Sequence, residues 1–568
     1  MGKVYLDQPL DEEHECVRKQ HGNKVRRDVN IRDSINIADK IGTPLELQEY
    51  QPRQIVENDH SINNSLLIND SPETQQKIES GLNKYGLNQF LSNLIPVNRT
   101  LPDMRTPWCR DKGMLMTRLP KASVIVTVHN EAWSVIIRMV HSVINTTPNK
   151  LLKEIILVDD ASDMEHLRGG LDSYFRDFMK VKVLRMSKRV GFFISRNEGA
   201  RLASAPVLIF LDANTECTPG WLEPLLDRIA RNRSTIVSPS VDIIDHDTFE
   251  YNIAPYESVG GFNWNLMFSW KNIPDEDILK QNNPAEPLQT PTLPGGNYAI
   301  DREFFNILGQ HDPVMDTMGF DNLELSIKCW LCGGRLEIVP CSHIGQVSRS
   351  YESMLLNKSK AILLNISMRT AEVWFDEYKT YFYDRVGDPT MDIGDTSSRL
   401  LIKKRLGCQP FQWYIENVYP DLFIPGYSLA AGEVRNPWSG LCIDSGVNSD
   451  HYFLPVKVFP CHNMGGHQYW MFSELGEIRR DEVCLDFGGE GDAVILYPCH
   501  GTGGNQQWMM DRVKRRMRHR QTKMCLTVSG NDTPAVPLPT KPEVRYLILK
   551  DCQADNSKQE WVWFWSKS

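Results

Sequence analysis

Three carboxylates stand where apolar runs end: Asp159 and Asp160 close EIILVDD, and Asp212 closes VLIFLD. If those runs are strands of one parallel sheet, their carboxyl edge is where a ligand binds, and three acids gathered there point to one. The competing reading is strand-end capping, since Asp is common in turns. A second pattern lies far downstream, where Cys442-Ile443-Asp444, Cys484-Leu485-Asp486 and Cys525-Leu526-Thr527 recur at intervals of 42 and 41 residues. Each is followed by a Gln-x-Trp element, at Gln468 and Trp470, Gln506 and Trp508, and Gln559 and Trp561.

The elements that must hold these residues are of two kinds. From Ala122, SVIVTV reads as a buried strand and EAWSVIIRMVHSVI carries the apolar recurrence of a helix lying on a sheet. EIILVDD, VKVLRM and VLIFLD follow, separated by segments of helical length, so 122–212 predicts a parallel sheet with crossover helices. NLELSIKCWLCGG and LEIVPC, within 239–350, should complete that α/β domain. The downstream repeats need another architecture. A unit of about 40 residues cannot bury its own apolar face, whereas three around an axis share one core, which predicts an all-β trefoil. Residues 1–90, rich in Asn, Gln, Asp and Glu, lack an apolar period and read as a polar stem or arm.

Bulk properties narrow the function. The 568 residues are too many for one ordinary core. The 41% hydrophobic and 24% charged content is that of a soluble globular chain. A net charge of −9, from 63 Lys and Arg against 72 Asp and Glu, argues against nucleic acid as a partner. Ten of the 13 cysteines can be paired, as suits an oxidising compartment. Asn-x-Ser/Thr triplets at Asn63, Asn98, Asn145, Asn232, Asn357, Asn365 and Asn531 are compatible with it. No run of about 20 apolar residues occurs, and MGKVYLDQPLDEEHECVRKQ has no apolar core, so no transmembrane anchor or signal peptide is visible.

The three repeats, with their Cys-x-Asp starts and Gln-x-Trp ends, resemble ricin-type lectin modules. In that family an Asp, an aromatic ring, a His and an Asn of a repeat bind a galactose-type sugar. The second repeat keeps all four as Asp486, Tyr497, His500 and Asn505. The first has Asp444 and His462 but Phe459 and His467, and the third has Thr527 in place of the Asp.

Upstream, TVHNEAWSVIIRMVHSVI, EIILVDDAS, FLDANTECTPGWLEPLL, GGFNWNLMFSW and NLELSIKCWLCGGRLEIVPCSH are similar to the polypeptide N-acetylgalactosaminyltransferases. The resemblance implies a GT-A glycosyltransferase domain over 91–410 and a ricin B-type trefoil over 428–568. It implies transfer of GalNAc from UDP-GalNAc to Ser or Thr of acceptor proteins, with Mn²⁺ as cofactor, in the lumen of the Golgi or secretory pathway. Carried over by position, Thr127 and Asp160 would hold the uridine, Arg189 would lie near the nucleotide, and Arg349 would steady the diphosphate. The family's Asp-x-His metal motif reads Asp212-Ala213-Asn214, and the distant His ligand is Gln346, with His343 expected to face away. A neutral amide oxygen is a poorer Mn²⁺ ligand than imidazole nitrogen. The family's WGGEN loop reads Met318-Gly319-Phe320-Asp321-Asn322, placing Asp321 and Asn322 at the catalytic positions.

The same resemblance implies disulfides Cys109–Cys341, Cys332–Cys408, Cys442–Cys461, Cys484–Cys499 and Cys525–Cys552, leaving Cys16, Cys217 and Cys329 unpaired. Two functional readings stand at this point. One is an active, divergent transferase using an oxygen-ligand metal site. The other is an impaired or inactive family member that binds GalNAc-bearing glycoproteins through its second lectin repeat. The basic run DRVKRRMRHRQTK could meet sulfated or acidic glycans, but such charge runs are usually solvated, and it is read as a solvated hairpin face.

Overall fold

A computed structural model describes residues 71–568 except 112, 114, 255–257, 274–282, 284, 315–321, 351–359, 387–390, 447–452, 463–465, 490, 531–544 and 565–568. Of the arm expected over residues 1–90, the first 70 residues, with Cys16 and Asn63, lie outside them, as do Asp321, Asn357 and Asn531. The chain divides into two compact units. The first runs to Gly261 and adds Phe268–Trp374 and Ile393–Tyr414; the second comprises Phe262–Met267, Phe375–Asp392 and Ile415–Ser568.

The first unit is built on a mixed sheet. Its strands are β1 (Ala122–Val128), β2 (Leu152–Asp159), β3 (Val181–Arg185), β4 (Val207–Asp212), β5 (Thr215–Cys217), β6 (Thr235–Ile244), β7 (Tyr251–Asn252), β8 (Ser258–Phe262), β9 (Phe268–Asn272), β10 (Leu288–Gln289), β11 (Tyr298–Asp301) and β12 (Arg335–Val347). The sheet order is β10-β12-β6-β11-β4-β1-β2-β3, with β8 and β9 forming a separate hairpin. β1 pairs in parallel with both β2 and β4, and β2 with β3, giving the predicted parallel half. These central strands are covered on both faces, so they read as continuous apolar runs rather than alternating ones. Helix Trp133–Thr146 buries nearly its whole length against them. Helix Phe192–Leu202 approaches β1 so closely that a Cβ on Gly199 would lie 2.4 Å from Ile125 Cγ2, which only glycine avoids.

The other half of the sheet is antiparallel at β4–β11 and β11–β6, then parallel at β6–β12. β12 is longer than LEIVPC suggests and carries Gln346 in antiparallel register with Thr215 of β5. Residues 71–90 are part of this unit rather than a loose stem. Ser71 caps helix Pro72–Tyr85, and Tyr85, Leu87 and Leu91 are buried in one cluster with Val135, Ile244 and Val347.

The second unit contains a curled, all-antiparallel sheet of 12 strands. Its three repeats superimpose in chemistry: the indole N–H of Trp470, Trp508 and Trp561 donates to the carbonyl of Ile443, Leu485 and Leu526 at 2.9, 3.0 and 2.9 Å. All three tryptophans share the central core. Two segments expected in the upstream domain belong to this unit. Trp264, fully buried, donates to the Phe423 carbonyl at 2.6 Å, and Arg385 pairs with Asp481 at 2.7 Å. All five implied disulfides are formed, and Cys217 and Cys329 are buried free thiols.

Candidate functional site

The three acids stand at the carboxyl edge of the sheet, at the ends of strands that flank β1, and each takes different partners. Asp159 pairs with Arg185 at 2.6 Å and caps Ser162 N–H at 3.2 Å. Asp160 accepts the backbone N–H of Val190 at 2.7 Å and of Gly191 at 2.9 Å. It thereby shapes the turn that carries the exposed Arg189 and opens helix Phe192–Leu202. Asp212 alone enters a polar cluster at the strand ends. Thr127 sits opposite it in the β1–β4 register, and the buried Thr127 hydroxyl has no hydrogen-bond partner among the described residues.

Around Asp212 the donors are well defined. One carboxylate oxygen takes a hydrogen bond from Arg196 at 3.1 Å, and the other takes one from the Gln346 amide at 3.0 Å. The same Gln346 nitrogen faces Asn214 Oδ1 at 3.5 Å, while Asn214 donates its own amide to the Val347 carbonyl at 2.6 Å. Asn297 accepts from Asp212 N–H at 2.9 Å and donates to Gln346 Oε1 at 3.4 Å. Reversing the Gln346 amide would set oxygen against carboxylate, so the network itself selects this orientation. A Cβ at Gly296 would lie 2.5 Å from Asp212 Oδ1, so glycine is required where the chain passes the carboxylate. Burial pushes the Asp212 carboxyl above its ordinary range, against the opposing pull of Arg196 and Gln346.

This donor set does not fit the Mn²⁺ that the resemblance implies. The place between Asp212 and Asn214 that a shared cation would neutralise faces an amide N–H, and Arg196 supplies positive charge from the other side. Arg196 is itself fully buried, with Phe192 stacked 3.9 Å away. His343 offers no substitute ligand: it is buried and its Nδ1 pairs with Asp242 at 2.7 Å. Arg349 is held by Glu131 and by the Tyr85 carbonyl at 2.6 Å. Asn322 begins helix Leu323–Leu331 and donates to the Gly295 carbonyl at 2.5 Å.

Arg196 and Asn297 were not singled out by the motifs, yet both bond Asp212, and Glu216, likewise missed, pairs with Gly345 next to Gln346. Glu216 of β5 is clamped by Arg99 and Arg138, both at 2.7 Å. None lies in a run whose spacing betrays its partner: Arg196 comes from helix Phe192–Leu202, Asn297 stands just before β11, which pairs with β4, and Glu216 lies on β5, which pairs with β12.

In the second unit the repeats share one brace. Gln506 donates to Asp486 at 3.0 Å and accepts His500 N–H at 3.1 Å; Gln468 does the same for Asp444 and His462, at 3.0 and 3.1 Å. In the third repeat Gln559 bonds the Thr527 hydroxyl at 3.2 Å. The Asp residues therefore hold the trefoil together whatever else they bind. In the second repeat Tyr497 is partly exposed with Phe453 edge-on at 5.2 Å, and Asn505 is exposed next to the brace.

Residues 123–306 match the family described as Glycosyl transferase family 2, and 430–561 match the Ricin-type beta-trefoil lectin domain. Fold and repeats thus define a GT-A glycosyltransferase domain joined in one chain to a ricin-type lectin domain. A Drosophila melanogaster protein named putative polypeptide N-acetylgalactosaminyltransferase 9 is 46% identical over 87% of this chain and 74% of its own. Polypeptide N-acetylgalactosaminyltransferase 5 of Caenorhabditis elegans is 45% identical over 86% and 77%. A crystal structure of GalNAc-T7 with UDP, GalNAc and Mn²⁺ matches with a TM-score of 0.67 at 30% identity, covering 90% of this chain and 95% of that one. The chain belongs to the polypeptide N-acetylgalactosaminyltransferase family.

Proposed function

We propose that this chain is a family member with an impaired or inactive transferase centre that acts by binding GalNAc-bearing glycoproteins through its second lectin repeat. The observation that carries the reading is the Gln346 amide donating to Asp212 and facing Asn214, the two residues at the family's Asp-x-His motif. Loss of a UDP leaving group builds negative charge, and stabilising such charge is usually the largest catalytic contribution. An amide N–H supplies far less of it than a divalent cation. UDP-GalNAc remains the donor that Thr127, Asp160, Arg189, Asp212 and Arg349 would meet, with Asp321 and Asn322 at the catalytic positions by resemblance. Five disulfides support a secretory-pathway or Golgi lumen as the working compartment.

The test is GalNAc transfer from UDP-GalNAc to a panel of Ser/Thr peptides and glycopeptides with Mn²⁺, beside an active relative. The expected result is no turnover by this chain. Turnover would instead establish the competing reading, a divergent transferase with an oxygen-ligand metal site, which the retained Thr127 and Asp160 favour. In the lectin unit Asp486→Ala is expected to abolish GalNAc binding measured by calorimetry. Undiminished binding would move the sugar site to the first repeat.

A further inference from the structure

The hairpin formed by strands Trp508–Asp511 and Arg516–His519 carries a charge pattern that neither the trefoil core nor the sugar site uses. Met517 and His519 point inward and are buried, whereas Arg516 and Arg518 are partly exposed and Arg520, beyond the strand, is exposed. Alternate residues of a strand share one face about 7 Å apart, so the three guanidinium groups form a row. Arg512, Lys514 and Arg515 join it at the turn and Lys523 follows. Seven of the thirteen residues 511–523 are Lys or Arg and one is acidic, in a chain of net charge −9. The single acid, Asp511, is occupied at the turn, accepting the N–H of Val513 and Lys514 at 3.1 and 2.9 Å.

Arg512, Arg516 and Arg518 are oriented by neutral groups only. Arg512 donates to the Leu429 carbonyl at 3.0 Å, Arg516 to the carbonyls of Gln553 at 2.6 Å and of Ala554, and Arg518 to that of Lys523 at 3.3 Å. Such contacts aim a guanidinium without cancelling its charge, and among the described residues no carboxylate ion pair joins any of the seven. Like charges along one face repel, and the strain is relieved when a polyanion lies across them. The row ends beside the second repeat's sugar loop. The His519 ring meets the Asn505 carbonyl at 3.2 Å, and Arg520 N–H donates to the Gln507 carbonyl at 2.8 Å.

We propose that this face binds the acidic part of a glycan, sulfate esters or carboxylates, and that the preferred ligand of the second repeat is a GalNAc-containing glycan bearing such groups. The second clause rests on the lectin reading above; the first does not. Arginine's planar fork suits bidentate recognition of these oxyanions. A disulfide-bonded chain of an oxidising compartment meets acidic glycans rather than nucleic acid.

The experiment compares binding of the full chain to a sulfated GalNAc-containing oligosaccharide, its desulfated counterpart and free GalNAc, by calorimetry at two salt concentrations. Binding to the sulfated form is expected to be at least ~10-fold tighter and to weaken as salt screens the row. A variant carrying Lys514→Gln, Arg518→Gln and Arg520→Gln is expected to lose that preference while binding free GalNAc as before. Arg516 is left in place because it holds the Gln553 and Ala554 carbonyls. Sulfate-dependent binding that survives Asp486→Ala while free GalNAc binding fails would uphold the row and leave the sugar site to be judged separately. Equal binding of both oligosaccharides, no effect of the triple variant, or retention by phosphatidylserine vesicles in place of the sulfated glycan would overturn the proposal.

Discussion

Replacing Asn214 and Gln346 together by histidine is expected to convert the polar cluster around Asp212 into a divalent-cation site. The double variant deletes the Gln346 N–H that now satisfies Asp212 and faces Asn214, and it sets two imidazoles on the same carboxylate. Both positions are ready to receive them: Gln346 stands opposite Thr215 in the β5–β12 register, next to Asn214, which lies in the two-residue turn that follows Asp212 at the end of β4. Mn²⁺ affinity is expected to rise on the order of 100-fold, about 2.7 kcal/mol. Calorimetry or Mn²⁺ paramagnetic resonance on the protein without nucleotide reads this directly. UDP binding should rise only when Mn²⁺ is present. Each single variant should gain much less, because one imidazole beside one carboxylate leaves the cation open to water on most sides. Should the double variant bind Mn²⁺ no better than the parent chain, the loss would lie beyond these two positions and the impairment would be a property of the wider pocket.

The contrast between what these sequences disclose and what they conceal follows from the range of the interactions. SVIVTV, EIILVDD and VLIFLD are legible as buried parallel strands because burial on both faces imposes a continuous apolar run. The trefoil is legible because each Gln-x-Trp closes onto its own Cys-x-Asp or Cys-x-Thr start, a contact repeated three times within single repeats. Asp159 and Asp160 looked alike as strand-end acids, yet their roles diverge through partners contributed elsewhere, Arg185 for one and the Val190 and Gly191 amides for the other. Arg196 reaches Asp212 from a helix, and Asn297 from the residue before an antiparallel strand whose pairing no local period announces. The helix Pro72–Tyr85 was hidden for another reason. Its sequence is mostly polar, and only Gly81 and Tyr85 are buried, too few to give an amphipathic stripe.

Glu216→Ala is expected to destabilise the first unit by about 3–5 kcal/mol, because it removes the buried carboxylate that Arg99 and the fully buried Arg138 share. Arg138 is fully buried and donates to Glu216 at 2.7 Å and to the backbone and hydroxyl oxygens of Ser92, both at 3.0 Å. Arg99 adds a two-pronged contact at 2.7 and 2.8 Å. The cluster ties helices Gln89–Leu94 and Trp133–Thr146 to β5, and Glu216 pairs with Gly345, immediately before Gln346. Its loss should therefore loosen the Asp212 cluster as well as the fold. Burial alone would raise the Glu216 carboxyl, but Arg99 and Arg138 outweigh it and hold the group at about 2, below its ordinary value of 4.5. A depressed carboxyl contributes stability that is complete above the unfolded value and is lost as pH falls from about 4.5 towards 2. The parent chain should accordingly lose about 3 kcal/mol of first-unit stability across that window through this group, and the variant should not. Denaturant unfolding at pH 7, 4 and 3 reads both effects, with the second unit's transition as an internal reference. A variant whose deficit stayed constant from pH 7 to pH 3 would show that Glu216 acts through packing rather than through its charge.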